Sequence, residues 1–275
     1  MRIVVDTNQA YKLPGGPNAT KARLSVEGIT LAPYVLGEIL LRTKPQPTLT
    51  ALRNFADIRL GLEVGHVMEK VAGLTETEIV SFEPFSLPSS PEYNLFMQVL
   101  TNPSPQIVGR AKQIKNNNRA FCGKMYNLSE RFRTKVQNLR LKAPKYCDMN
   151  QALVNHGAEA QSFLGSLVVS SISNGSQRSV TVKDPELLYQ AVMRNHHLAR
   201  FFKTILYYTL SFARVWRPQI HNFDPNTNRD DWTDITLPLY ASDGDIILTA
   251  DAKLRNAIRM VNPCGVVVAK SVKEL

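Results

Sequence analysis

The chain has 275 residues, 44% of them apolar, with 33 Lys and Arg against 23 Asp and Glu for a net charge of +10. That is enough chain for one large domain or two modest ones, with the apolar fraction of an ordinary globular protein. Cys122, Cys147 and Cys264 are scattered and form no Cys-x-x-Cys pair, which argues against a zinc site or a disulfide scaffold. Without a basic-then-apolar leader, or a run of ~18 apolar residues to span a membrane, the expected setting is the cytoplasm.

In chain order, residues 2–6 read as a buried strand that ends on an acid, Asp6. Residues 8–27, with Leu13-Pro14-Gly15-Gly16-Pro17-Asn18, read as a loop. A strand over 29–32 leads to a helix over 34–42 that carries Glu38, and Lys44-Pro45-Gln46-Pro47 is expected to end it. Thr48 is a candidate cap for a helix over 49–60, and a further helix spans 64–73. Glu78-Ile79-Val80-Ser81-Phe82 reads as a third strand, and the proline-rich stretch 84–91 as a connector and a domain boundary near residue 88.

The next segment, 89–224, is expected to be a mostly helical insertion. Leu95, Phe96, Val99 and Leu100 keep helical spacing, as do Leu128, Phe132, Val136 and Leu139. Residues 170–179, with Asn174-Gly175, read as a polar turn. Asp184-Pro185-Glu186 is a helix start with proline at the first helical position, opening a long apolar stretch to Trp216 with room for a break. A polar loop from His221 returns the chain to a strand over 245–249, a helix over 252–260 and a strand over 265–269. Apolar strands alternating with helical segments predict an α/β fold whose parallel sheet is flanked by helices.

Charge is concentrated in one place. Arg110, Lys112, Lys115, Arg119, Lys124, Arg131, Arg133, Lys135, Arg140, Lys142 and Lys145 face a single acid, Glu130, across that span, and the rest of the chain is neutral overall. Such a segment is the electrostatic footprint of a nucleic-acid contact, although a solvated helical face has the same composition. Phe121, Tyr126 and Phe132 lie among these bases and are candidates to stack on unpaired bases, or to pack in a helical core. His196 and His197 adjoin and read as packing or surface residues rather than as a metal pair.

The acids carry the chemistry. Val5-Asp6-Thr7-Asn8 ends one strand, Glu38 follows another, Asp234 lies seven residues before Ala241, and Leu248-Thr249-Ala250-Asp251 ends a third. Ligands of parallel α/β sheets gather at the carboxyl ends of strands, so these acids are candidates to meet. Clustered carboxylates repel and call for a cation, and an all-oxygen set suits Mg²⁺ or Mn²⁺. No G-x-x-x-x-G-K-[ST] loop is present, and Asn8 two residues after Asp6 disfavours a D-x-D phosphatase. Each acid also has a plainer role open to it: turn acid for Asp6 and Asp251, helix cap for Asp234, exposed helix residue for Glu38.

These motifs, in this order, resemble the PIN domain, the nuclease fold of VapC-type toxins and many RNA-processing proteins. The 17-residue step from Asp234 to Asp251 is similar to the family's spacing. The resemblance covers residues 1–88 and 225–275 and implies a parallel-sheet nuclease domain interrupted by the basic helical insertion. It implies a ribonuclease, a hydrolase of RNA phosphodiester bonds with DNA not excluded, using Mg²⁺ or Mn²⁺ held by Asp6, Glu38, Asp234 and Asp251. Asp231 is the reserve ligand, and Thr7, Asn8 and Thr249 would orient ligands or simply bond within turns. A non-catalytic nucleic-acid-binding protein on the same scaffold, a toxin held by an inhibitory partner protein, and a homodimer are the further expectations. The chain departs from the family in its length, in Pro238 within the helix expected after Asp234, and in the crowding of Asp230, Asp231, Asp243 and Asp245.

Overall fold

Ile3, Val4 and Val5 are wholly buried on successive positions, as are Ile29, Thr30 and Leu31. A strand covered on both faces needs no alternation of apolar and polar residues, and these runs show none. The computed structural model describes residues 1–13, 26–53, 55, 57–101, 104–142, 157–175, 180–215, 234–261 and 265–270. Five strands, β1 (Arg2–Val5), β2 (Gly28–Leu31), β3 (Ile58–Leu60), β4 (Ile246–Leu248) and β5 (Val267–Ala269), form one sheet in the order β3-β2-β1-β4-β5. Every pairing is parallel, with Ile3 opposite Ile29 on one side and Ile246 on the other.

Helices flank the sheet, so the protein is α/β as its alternating segments predict. In chain order they are α1 (Thr7–Ala10), α2 (Pro33–Leu40), α3 (Gln46–Arg53), α4 (Val64–Ala72), α5 (Glu76–Val80), α6 (Pro91–Thr101) and α7 (Pro105–Lys142). They continue with α8 (Gly157–Gly175), α9 (Pro185–Arg194), α10 (His196–Val215) and α11 (Ala252–Val261). A 3-10 turn spans Leu237–Tyr240. Helix α7 packs on α2, and α10 packs on α7, α11 and the 3-10 turn, so apolar residues from 91–215 join the core that covers the sheet.

Several elements differ from expectation. The third strand is Ile58–Leu60, not 78–82. Residues 76–80 are helical because Thr75 and Glu78 form a capping box: each satisfies the other's backbone amide at the helix start. The helix expected over 49–60 starts at Gln46 and stops at Arg53, so Thr48 lies inside it and not at its cap position, and Pro47 opens α3 rather than closing α2. Within the span expected as loop, the chain after Asp6 makes one helical turn, Thr7–Ala10, and residues 14–25 lie outside the described residues. The polar turn expected from residue 170 is helix through Gly175: Leu164, Leu167, Val168 and Ile172 keep one buried stripe, and the Ser171 hydroxyl bonds back to the Leu167 carbonyl.

After Asp234 the expected α-helix is replaced by the short 3-10 turn, with Pro238 in its opening positions. All four residues of the turn are buried, and the Tyr240 hydroxyl donates to the Leu62 carbonyl at 2.7 Å. The proline-rich connector is tied to the sheet: Leu62 N–H donates to the Pro84 carbonyl and Ser86 N–H to the Leu60 carbonyl. The long apolar stretch after Asp184 does break, at Asn195. Its amide donates to the Ile79 and Phe82 carbonyls while its Oδ1 caps α10 at Leu198 N–H.

Candidate functional site

The chain leaves β1 toward β2 and β3 on one side, then returns to β4 on the other. The carboxyl ends of β1 and β4 therefore flank the switch point of the sheet, where the diverging connections leave a crevice. Asp6 leaves β1 at this point, Thr249 to Asp251 leave β4, and α2 starts just beyond β2.

Asp6 is almost fully buried and is held from two sides. It accepts the Thr249 hydroxyl at 3.0 Å and the Asn8 amide at 3.3 Å, capping α1 as it does so. The Thr249 Oγ1 in turn accepts the Asp251 N–H at 3.1 Å, and Asp251 Oδ1 accepts the Leu254 N–H to cap α11. Thr249 thus does what both of its expected roles require: it bonds within a turn and it fixes a carboxylate. On α2, Glu38 Oε2 accepts the Thr7 hydroxyl at 2.6 Å. Tyr34, one turn earlier on the same face, donates to Asp234 Oδ1 at 3.3 Å. Asn8 contributes its backbone amide, while the residue itself is exposed.

The charges of acids distant in sequence reach Asp6 and Asp234. Burial raises the Asp6 carboxyl, the Glu38 and Asp251 charges add to the rise, and the Thr249 and Asn8 bonds oppose it. Asp234 is raised well above its ordinary 3.8, first by burial and then by Asp6, Glu38 and Asp251. Tyr34 is likewise pushed well up by burial and by Asp234, Asp6 and Glu38. Negative charge has been gathered here at a cost that a divalent cation would remove. The donor set, all oxygen, fits Mg²⁺ or Mn²⁺. As the side chains lie, however, no three His, Cys, Asp or Glu among the described residues stand close enough together to enclose a metal ion.

The crowded acids separate. Asp231 and Asp230 lie outside the described residues. Asp245 sits before β4, at the opposite end of the sheet, where it accepts the Arg2 and Ser242 amides at 2.9 Å. Asp243 pairs with the buried Arg200 at 2.5 Å. His197 is buried edge-on to Phe85 and pushed down to about 3, chiefly by burial, while His196 is exposed with its ring 4.0 Å away.

Helix α7 brings the basic segment to the acids. Lys115 Nζ lies 3.4 Å from Glu38 Oε1, and Arg110 lies 3.6 Å from Glu63. Lys112 and Lys124 are exposed and Arg119 is partly buried. Arg131, Arg133, Lys135, Arg140 and Lys142 follow on the same helix, and Lys145 lies outside the described residues. Phe121 does not offer a base-stacking face: it is buried and stacks on Phe201 at 6.4 Å.

Two participants were not among the expected site residues. Tyr34 precedes Glu38 by four residues, so helical spacing alone puts both on one face. Gly37 had no local signal. A Cβ there would lie 2.9 Å from the Ala111 carbonyl oxygen, so the missing side chain is what lets α7 approach α2. That approach is local, since the same helices, with α6, also line an apolar cavity of about 360 Å³. Among the described residues, no helix is long and apolar enough to cross a membrane. Comparison with family models, with curated proteins and with solved structures finds no match.

Proposed function

We propose that the protein is a metal-dependent ribonuclease of the PIN type, hydrolysing RNA phosphodiester bonds at the β1–β4 crevice. The observation that supports this most is that the charges of Glu38 and Asp251 bear on both Asp6 and Asp234 at the switch point of a parallel sheet. Asp6, Asp234 and Asp251 would hold Mg²⁺ or Mn²⁺, with Glu38 completing the set. The bound ion would supply a water of lowered pKa and neutralise charge on the phosphate in an in-line attack.

The chain's own groups do the rest. Thr249 and the Asn8 amide fix the Asp6 carboxylate, Thr7 fixes Glu38, and Tyr34 fixes Asp234. The cations of α7 bind the nucleic-acid backbone and place it against the acids, and positioning of this kind provides much of the rate of phosphodiester cleavage.

Labelled RNA and DNA incubated with the protein in Mn²⁺ or in EDTA test this reading. Mn²⁺-dependent cleavage of RNA is expected. Asp6→Asn should lower it at least about a hundredfold, since even outer-shell changes at metal sites cost roughly ten- to a hundredfold. Salt-sensitive binding with no cleavage in any metal would instead show a nucleic-acid-binding scaffold.

A further inference from the structure

The Glu38 carboxylate is divided between α1 and α7, and its α7 partner is a cation. One oxygen accepts the Thr7 hydroxyl at 2.6 Å, and the other faces the Lys115 ammonium at 3.4 Å. Both partners of the ion pair are largely shielded, with side chains 24% and 22% exposed. The contact is built into the backbone. Ala111 packs against Gly37 so closely that no Cβ fits between them, and one turn further along α7 comes Lys115, one residue further along α2 comes Glu38. Lys115 therefore reaches an acid of the candidate metal site from a fixed base, not as a wandering surface side chain.

We propose that Lys115 is the resident counter-ion of Glu38 and competes with a divalent cation for that carboxylate. The inference rests on the metal-site reading above and assigns Lys115 a role distinct from general phosphate attraction. In the bare protein one of the four negative charges is already matched by this ammonium. A divalent cation entering the site must displace Lys115 from Glu38 or bind beside an uncompensated like charge. Either way the lysine weakens metal binding, and its removal strengthens it.

The test is a Mn²⁺ titration of the full chain, followed by loss of the free-ion electron paramagnetic resonance signal at constant ionic strength. Lys115→Met keeps the aliphatic stem and removes the charge, and Lys115→Gln is a second neutral variant should the first fold poorly. Both are expected to bind Mn²⁺ about tenfold more tightly than wild type, the scale for removing one positive charge several ångströms from a divalent ion. Lys115→Arg keeps the charge and should match wild type, as should Lys203→Met, which removes an exposed charge from α10. Equal affinity in wild type and the neutral variants overturns the inference and leaves the metal site standing. Tightening in Lys115→Arg as well also overturns it, because shape and not charge would then be the cause. Absence of saturable Mn²⁺ binding in wild type and neutral variants alike sinks the metal-site reading and this inference with it.

Discussion

Asp234 concentrates the cost of gathering the acids. Its carboxyl is raised by burial and by Asp6, Glu38 and Asp251, with only the Tyr34 hydroxyl opposing the rise. The folded state therefore binds this proton more tightly than the unfolded chain does. The sign follows: without metal, stability is greatest below the ordinary 3.8, falls as pH climbs from there to the raised folded value, and stays low above it. In EDTA at pH 7, Asp234→Asn should raise the thermal midpoint by about 2 °C or more, the shift that roughly 1 kcal/mol produces in a chain of this size. The difference should close in acid below 3.8, where the carboxyl is protonated in both states. A wild-type protein that is the more stable of the two at pH 7 in EDTA would contradict the placement of Asp234 among like charges. The same substitution removes a ligand, so gain in stability and loss of cleavage should come together.

At the scale of elements, the α2–α7 contact decides where the basic segment meets the sheet. In an isolated helix, replacing Gly37 by Ala would gain up to about 1 kcal/mol of helix propensity. Here the added Cβ meets a backbone oxygen at 2.9 Å, and a backbone cannot turn aside as a flexible side chain can. Overpacking should win, and Gly37→Ala should lower the unfolding free energy by about 1–3 kcal/mol in urea denaturation. Gly109, on α7, has nothing within 4 Å of its would-be Cβ, so Gly109→Ala is the contrasting case and should be neutral or stabilising by about 0.5–1 kcal/mol. Equal effects at the two glycines would show that close helix approach is not what Gly37 provides. Elements with local signals were legible in this chain, such as the Asp184-Pro185 start of α9 and the apolar run of β1. The Thr75-to-Glu78 capping box is also a local signal, but the strand reading of 78–82 followed Ile79-Val80 and passed it over. Strand β3 was not legible, because three residues with a half-buried Arg59 over the Phe85 ring carry neither length nor alternation.

Across the whole molecule, most of the excess charge lies on α7, which meets the candidate site through Lys115. If α7 guides a nucleic-acid backbone, affinity should fall steeply with salt, and each lost phosphate contact should flatten that dependence by about one unit of slope. Lys112→Glu combined with Lys124→Glu reverses two exposed charges away from the acid cluster. The double variant should bind RNA at least about tenfold more weakly at low salt, with a shallower salt slope in a filter-binding series. Unchanged affinity at low salt would make the segment a solvated face.

Composition and local pattern alone determined the α/β class, the acids at strand ends and the basic segment, because periodicity, caps and charge runs act over a few neighbouring residues. Tertiary structure decided the rest. It decided that β1 lies between β2 and β4, that Tyr34 meets Asp234 across 200 residues, that Lys115 faces Glu38, and that Phe121 belongs to the core. Such pairings come from the packing of whole elements, for which no window of sequence holds both partners.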